Sequence, residues 1–191
     1  MNRFDIYLIG VGGQGIGLLS ETLIRAADNA GLPVSGVDTH GLAQRGGMVV
    51  SHVRLGSTLT SPLVRRGRAD LVIALERTEA YRALFSHARR GGTMVCYDTS
   101  WQTLKARLGE EKEITRKDLE EECSKKEITL YMVRMEELED YRMQNMVILG
   151  EIASRSLVPS IKIEDYEKAM EDLMGGVMLE KNLALFRQMT V

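Results

Sequence analysis

Residues 6–17 read Ile6-Tyr7-Leu8-Ile9-Gly10-Val11-Gly12-Gly13-Gln14-Gly15-Ile16-Gly17. A short apolar run that enters a glycine-rich turn and leaves it as an amphipathic helix is the opening of a mononucleotide-binding βαβ unit. Each glycine has a physical task in such a turn. Gly10 can take a φ sign that other residues avoid, Gly12 and Gly13 let a ligand approach bare backbone, and Gly15 lets the helix pack against the strand. The N–H groups of the first helical turn, unpaired by geometry, then face any anion in front of them. Gly10-x-Gly12-x-x-Gly15 also fits the dinucleotide fingerprint, whose second half is an acidic residue about 20 positions on. Only Asp38 qualifies, and it precedes Thr39-His40-Gly41 rather than closing an ordinary strand. A tight turn with no bound dinucleotide is the competing reading.

Outward from the turn, Ile16, Leu19, Leu23, Ala27 and Ala30 recur at helical spacing and predict a helix over 15–30, stopped by Gly31 and Pro33. A strand follows at 34–37, then a second glycine-punctuated loop at 39–47. Residues 48–55 form a Val-rich strand with Val49, Val53 and Leu55 on one face and His52 and Arg54 on the other. Strand follows strand here with no helix between, so the sheet is expected to be mixed, with an antiparallel member. After the loop carrying Arg65, Arg66 and Arg68, a buried strand is expected at 71–75, a helix at 78–90 ending at Gly91-Gly92, and a strand at 93–97. Thr115 with Asp118 resembles a capping box at the start of a short surface helix, and 128–133 reads as a last core strand. Beyond about residue 138 the pattern is helical, in up to three segments. Eight of the 11 methionines lie from Met132 onward, which suits core packing and leaves some for a partner surface. The expected fold is a three-layer α/β/α Rossmann-like domain with a mostly parallel mixed sheet and C-terminal helices, one domain over 1–191.

Composition narrows the function classes. With 25 basic and 27 acidic residues the formal charge is -2, so no whole-chain field attracts nucleic acid or an anionic membrane. No run of about 18 apolar residues and no charged leader with an apolar core is present, and a cytoplasmic protein is expected. Cys96 and Cys123, the only cysteines, do not supply the four thiolates of a self-contained iron–sulfur cluster or an all-cysteine zinc site. Cys96 sits in a strand-like run as a small core residue. Of the histidines His40, His52 and His87, none has a metal-like i, i+4 partner; His87 reads as a surface residue near a helix end. His40 lies between two glycine turns close to Gln44 and Arg45, and an imidazole, an amide and a guanidinium in one loop can together hold a carboxylate or phosphate. There is no nucleophile beside them for a triad and no Walker lysine after the first loop.

Gly10-Val11-Gly12-Gly13-Gln14-Gly15 combined with His40-Gly41-Leu42-Ala43-Gln44-Arg45-Gly46-Gly47-Met48-Val49-Val50-Ser51-His52-Val53-Arg54 resembles the gamma-type domain of the 2-oxoacid:ferredoxin oxidoreductase family. Within it, the H-G-x-A-Q-R-G-G form is that of the smaller (beta) subunits of indolepyruvate ferredoxin oxidoreductases. Asn145-Met146 and the Leu-rich C-terminal helix are similar too, whereas the acidic stretch at about 108–127 is less typical. The resemblance implies a subunit of a complex that oxidatively decarboxylates aryl 2-oxoacids to acyl-CoA and passes electrons to ferredoxin. Thiamine diphosphate and the iron–sulfur clusters would belong to the large alpha subunit, and this chain alone would hold no cofactor, no metal and no primary catalyst. Gly10, Gly12, Gly13, Gln14 and Gly15, with His40, Gln44, Arg45, Gly46 and Gly47, would shape a surface that meets the alpha subunit or approaches CoA. A hetero-oligomer is implied, with a homodimer when the chain is isolated. Two other readings stand beside it: a stand-alone NAD(P)-dependent oxidoreductase using Gly10, Gly12, Gly15 and Asp38, and a non-catalytic assembly module whose loops touch only protein.

Overall fold

The computed structural model describes residues 3–39, 47–57, 59–100 and 113–190. Six strands form one sheet in the order β2-β3-β1-β4-β5-β6, with β1 at Phe4–Val11, β2 at Val34–Thr39, β3 at Met48–Leu55, β4 at Ala69–Ala74, β5 at Ala88–Tyr97 and β6 at Thr129–Val133. β3 runs antiparallel to both β1 and β2, while β4, β5 and β6 continue parallel to β1. The antiparallel member anticipated from two successive strands is therefore β3, and it sits between β1 and β2. The connection from β1 through helix α1 (Ile16–Asn29) to β2 skips that slot.

Two helical layers cover the sheet, as the alternating apolar runs require. On one face α1 packs with α4 (Gln144–Ser154), α5 (Ile163–Leu173) and α6 (Gly176–Thr190) over a core that includes Ile6, Leu8, Leu19, Leu23, Leu71, Leu149 and Phe186. On the other, α2 (Arg77–Ser86) and α3 (Arg116–Lys125) pack over Tyr7, Ile9, Val72, Met94, Cys96, Leu119 and Cys123. β1 alternates between the two layers, with Ile6 and Leu8 on one side and Tyr7 and Ile9 on the other, as a period of two dictates. Gly150 of α4 meets α6 at close range: a Cβ there would lie 2.3 Å from Met189 Cβ.

The capping box before α3 forms as expected, with Asp118 N donating to Thr115 Oγ1 at 3.2 Å and Thr115 N donating to Asp118 Oδ2 at 2.9 Å. Four expectations are corrected. Helix α2 ends at Ser86 rather than near residue 90. β5 begins at Ala88 rather than Thr93, because Ala88 pairs with Ala69 across an irregularity and Gly91 takes φ 67°. The helical part of the C-terminal region begins only with a 3-10 turn at Tyr141–Met143 and α4. His87 is no surface residue: it is half-buried beneath β1. His52 and Arg54, on the polar-looking face of β3, are 7 % and 8 % exposed, so that strand is covered on both sides.

Candidate functional site

The glycine turn lies at the C-terminal ends of β1 and β4, where parallel α/β sheets present ligand crevices. Its glycines divide by what surrounds them. A Cβ on Gly10 would sit 2.7 Å from Gln14 Oε1, 2.9 Å from Ile16 Cδ1 and 3.0 Å from Leu75 Cβ. Gly15 takes φ 80° directly before α1, and its Cβ would fall 2.5 Å from Asn145 Nδ2. Both are closed against the chain itself. Gly13, at φ 103°, has nothing within 4 Å of where its Cβ would be, so its backbone is open to a visitor on that side.

Gln14 holds the turn shut. It is 1 % exposed, its Oε1 accepts from Val11 N at 2.7 Å, and its Nε2 donates to Leu75 O at 3.3 Å. Both ends of the amide are thus spent on joining the turn to the end of β4. The second loop reaches the first through Gly12 N, which donates to Gly47 O at 2.8 Å. That bond brings together Gly12 and Gly47, two of the residues singled out from sequence. His40, Gln44, Arg45 and Gly46 lie outside the described residues.

Helix α1 starts with no side-chain cap and no acidic residue in its first turn. Asn145 Nδ2 donates to Gly15 O at 3.2 Å, tying the C-terminal helices to this terminus. Beside it opens a cavity of about 460 Å³ lined by residues that include Leu18, Arg142, Met143, Met178, Lys181 and Asn182. Its cations are neutralised at the rim, Arg142 by Asp140 and Lys181 by Glu139. Leu18, Met143 and Met178 give the walls apolar surface among polar neighbours, a lining suited to an apolar group with polar contacts around it. Sequence reasoning did not reach Arg142, Lys181 or Asn182. The available signal was the polar pair Gln144-Asn145 inside the apolar run Met143–Leu149, since buried amides in such a run need partners.

Asp38 accepts a hydrogen bond from Ser20 Oγ at 3.0 Å. With β3 inserted next to β1, β2 and Asp38 lie one strand further out than in a dinucleotide fold whose second strand adjoins the first, about 4.8 Å per strand. The dinucleotide reading loses its acidic half on this geometry.

The remaining residues with chemical potential lie elsewhere. Tyr7 stacks on His87 at 3.8 Å between ring centroids and meets His52 edge-on at 5.1 Å. Val64 N donates to His52 Nδ1 at 3.1 Å, which requires that nitrogen bare and places the ring proton on Nε2. Burial, helped by His52 and Arg66, pushes His87 down to about 4, and burial with Arg54 lowers His52. Glu79 is pushed up to about 7 by burial, against Arg82 and with help from Glu76. Cys96 and Cys123 are buried, and burial raises both thiols, Cys123 to about 11. Such thiols pack rather than react. Among the described residues no group of three or more His, Cys, Asp or Glu is placed to hold a metal ion, and no helix is long and apolar enough to cross a membrane.

A mixed sheet with one inserted antiparallel strand, a glycine turn locked by its own glutamine and a second loop bonded to that turn together define the domain. The chain belongs to the pyruvate ferredoxin/flavodoxin oxidoreductase family, whose sequence profile it matches over residues 5–189. Among curated relatives, indolepyruvate oxidoreductase subunit IorB of Archaeoglobus fulgidus is 51% identical over 80 residues, 42% of this chain and 39% of that protein. The subunit of the same name from Thermococcus kodakarensis is 37% identical over 92 residues, 48% of this chain and 45% of that protein. The chain therefore spans less than half the length of the curated relatives it matches. Similar solved structures include pyruvate oxidoreductase subunit PORC of Thermotoga maritima, with TM-score 0.67, 20% identity, and coverage of 100% of this chain and 96% of that one. Another is 2-oxoglutarate:ferredoxin oxidoreductase of Magnetococcus marinus with 2-oxoglutarate, coenzyme A and succinyl-CoA bound, with TM-score 0.72, 20% identity, and coverage of 99% of this chain and 30% of that one. At these identities the structures establish the shared fold.

Proposed function

We propose that this chain is a single gamma-type domain, the small subunit of a cytoplasmic 2-oxoacid:ferredoxin oxidoreductase that acts on indolepyruvate or a related aryl pyruvate. The complex would decarboxylate the 2-oxoacid oxidatively to an acyl-CoA and deliver electrons to ferredoxin. Thiamine diphosphate and iron–sulfur clusters would sit in a larger alpha subunit. The observation that carries this reading is the bond from Gly12 to Gly47, which ties the glycine turn to the last residue of the H-G-L-A-Q-R-G-G segment. The similarity to subunits named for indolepyruvate supports the substrate class.

On this reading Gly10, Gln14 and Gly15 shape the turn, and Gly12, Gly13, Gly46 and Gly47 offer backbone to the partner subunit or to CoA. His40, Gln44 and Arg45 supply the polar contacts. None of these residues makes or breaks a bond in the substrate. Coenzyme A, when bound, supplies the thiol that accepts the acyl group; the residues of this chain orient its anionic part and keep water from that side. A charge-assisted bond from Arg45 to such an anion is worth about 1.5–3 kcal/mol. Arg45→Ala then raises the apparent KM for one anionic substrate by roughly tenfold or more, and an unchanged KM makes Arg45 structural.

Co-expression with the large subunit tests the whole reading. Expected are co-purification and indolepyruvate-dependent reduction of ferredoxin that needs both chains. Full activity from the large subunit alone would overturn it.

A further inference from the structure

The end of the sheet opposite the glycine turns carries a second concave feature, outside everything proposed above. A cavity of about 430 Å³ opens between the start of β1 and the segment after β3, and its lining includes Arg3, Arg54, Thr60, Ser61 and Arg65 but no acidic side chain. Asp5, 1 % exposed, lies behind it and is held by two of the arginines: Arg54 Nε donates to Oδ1 at 2.9 Å, and Arg3 Nε lies 3.2 Å from Oδ2. Arg65 has no ion pair among the described residues. Three guanidiniums against one carboxylate leave an excess of two positive charges around one hollow.

The arrangement is built rather than incidental to a solvated rim. Arg54 is itself buried at 8 % exposure, and its guanidinium is fixed twice, by Asp5 through Nε and by the Ser61 carbonyl through Nη1. Those bonds use two of its five N–H donors. A fixed fork loses little freedom when it takes a tetrahedral anion, which is the advantage of arginine over lysine at such sites. Arg66 and Arg68, both exposed, extend the positive field along the same segment.

We propose that this cavity is a phosphate site, with Arg54 as its floor, Arg3 and Arg65 as closing arms and Thr60 as a hydroxyl donor. A phosphate group carries roughly -1.5 to -2 charges near neutral pH, which matches the excess, whereas a carboxylate leaves one positive charge uncompensated. The volume falls within the range of small-molecule sites, roughly 300–1,000 Å³, so the phosphate can arrive free or as part of a phosphomonoester. The proposal does not rest on the oxidoreductase reading.

Calorimetric titration of the full chain at matched ionic strength tests it, with sodium phosphate, ribose 5-phosphate and acetate as probes. Saturable binding of either phosphate, with acetate about tenfold weaker or more, is the expected result. Equal affinity for the two phosphates assigns recognition to the phosphate alone, and a clear preference for the ester assigns part of it to the organic moiety. Arg65→Ala lowers the affinity by roughly tenfold or more, whereas Arg68→Ala, exposed and outside the lining, changes it by less than about twofold. Thermal melting confirms that both variants fold. No saturable heat from either phosphate, acetate binding as tightly, or equal losses in the two variants would each overturn the assignment.

Discussion

The two faces of the sheet are built from different materials. Beneath α1 and the C-terminal helices the core is apolar with uncharged polar groups at its margins, among them Ser20, Thr22, Gln144, Asn145 and the hydroxyl of Tyr166, which has no hydrogen-bond partner among the described residues. Beneath α2 and α3 the sheet carries Tyr7, His52 and His87 in ring contact, Glu79 at the helix start and both cysteines. One face is held by packing and by uncharged hydrogen bonds such as Asn145 to Gly15, and the other adds groups whose protonation is coupled to folding. The difference teaches that stability and its pH dependence have separate addresses in this fold.

The largest effect expected is on the apolar face. Leu19 is 0 % exposed in α1, and Leu19→Ala costs about 2–5 kcal/mol, with the same loss at every pH. Denaturant melts at three pH values check this, and a loss that varied with pH would break the comparison. On the opposite face, Glu79→Gln sharpens it. The unfolded carboxyl titrates near 4.5 and the folded one at about 7. Between those values the folded protein keeps a proton that the unfolded chain has lost, so stability falls as pH rises and stays low above the window. Glu79→Gln is therefore expected to gain about 1–3 kcal/mol at pH 8 and little near pH 4. A constant difference across that range contradicts the assignment.

His87 works in the other direction. Its folded value, about 4, lies below the 6.5 of the unfolded ring. As pH falls from 6.5 toward 4 the unfolded chain gains a proton that the folded one refuses, and stability drops. His87→Phe keeps a ring against Tyr7 and should make that acid limb shallower by roughly 1 kcal/mol, the partly open ring limiting the effect. An unaltered limb would point to His52 alone. The smallest change is Tyr166→Phe, which removes a buried hydroxyl with no partner among the described residues and is expected to lie within about 1 kcal/mol of neutral, on the stabilising side. A loss above that would reveal a partner for the hydroxyl.

Much of the fold could be read from local pattern. The helix after Gly15, the strands at 48–55 and 128–133 and the capped helix after Thr115 follow from periodicity and capping, which depend on nearby residues. The antiparallel strand followed from the lack of a helix between two strands. What escaped depended on distant neighbours. Helix α2 ends at Ser86 and His87 turns inward because Tyr7, 80 positions away, offers a ring to stack on. β5 starts early because Ala69 provides its partner. In the candidate site the turn and its open glycine were legible, but Gln14 as a lock was not, since only the approach of Leu75 gives its amide a second bond. The polar half of the second loop, His40 to Gly46, stands on sequence alone.

The placement of β3 has a consequence for the order in which the sheet can be made. Phe4 pairs with Leu55, while β2 is not paired with β1. A nascent chain that has emerged only through β2 holds two strands with a vacant slot between them and an unpaired edge on each. β2 and β3, joined by a short connection, can zip together first as a hairpin, and the pair then docks on β1 as a unit. Translation through residue 55 thus closes an edge that would otherwise invite a neighbouring chain.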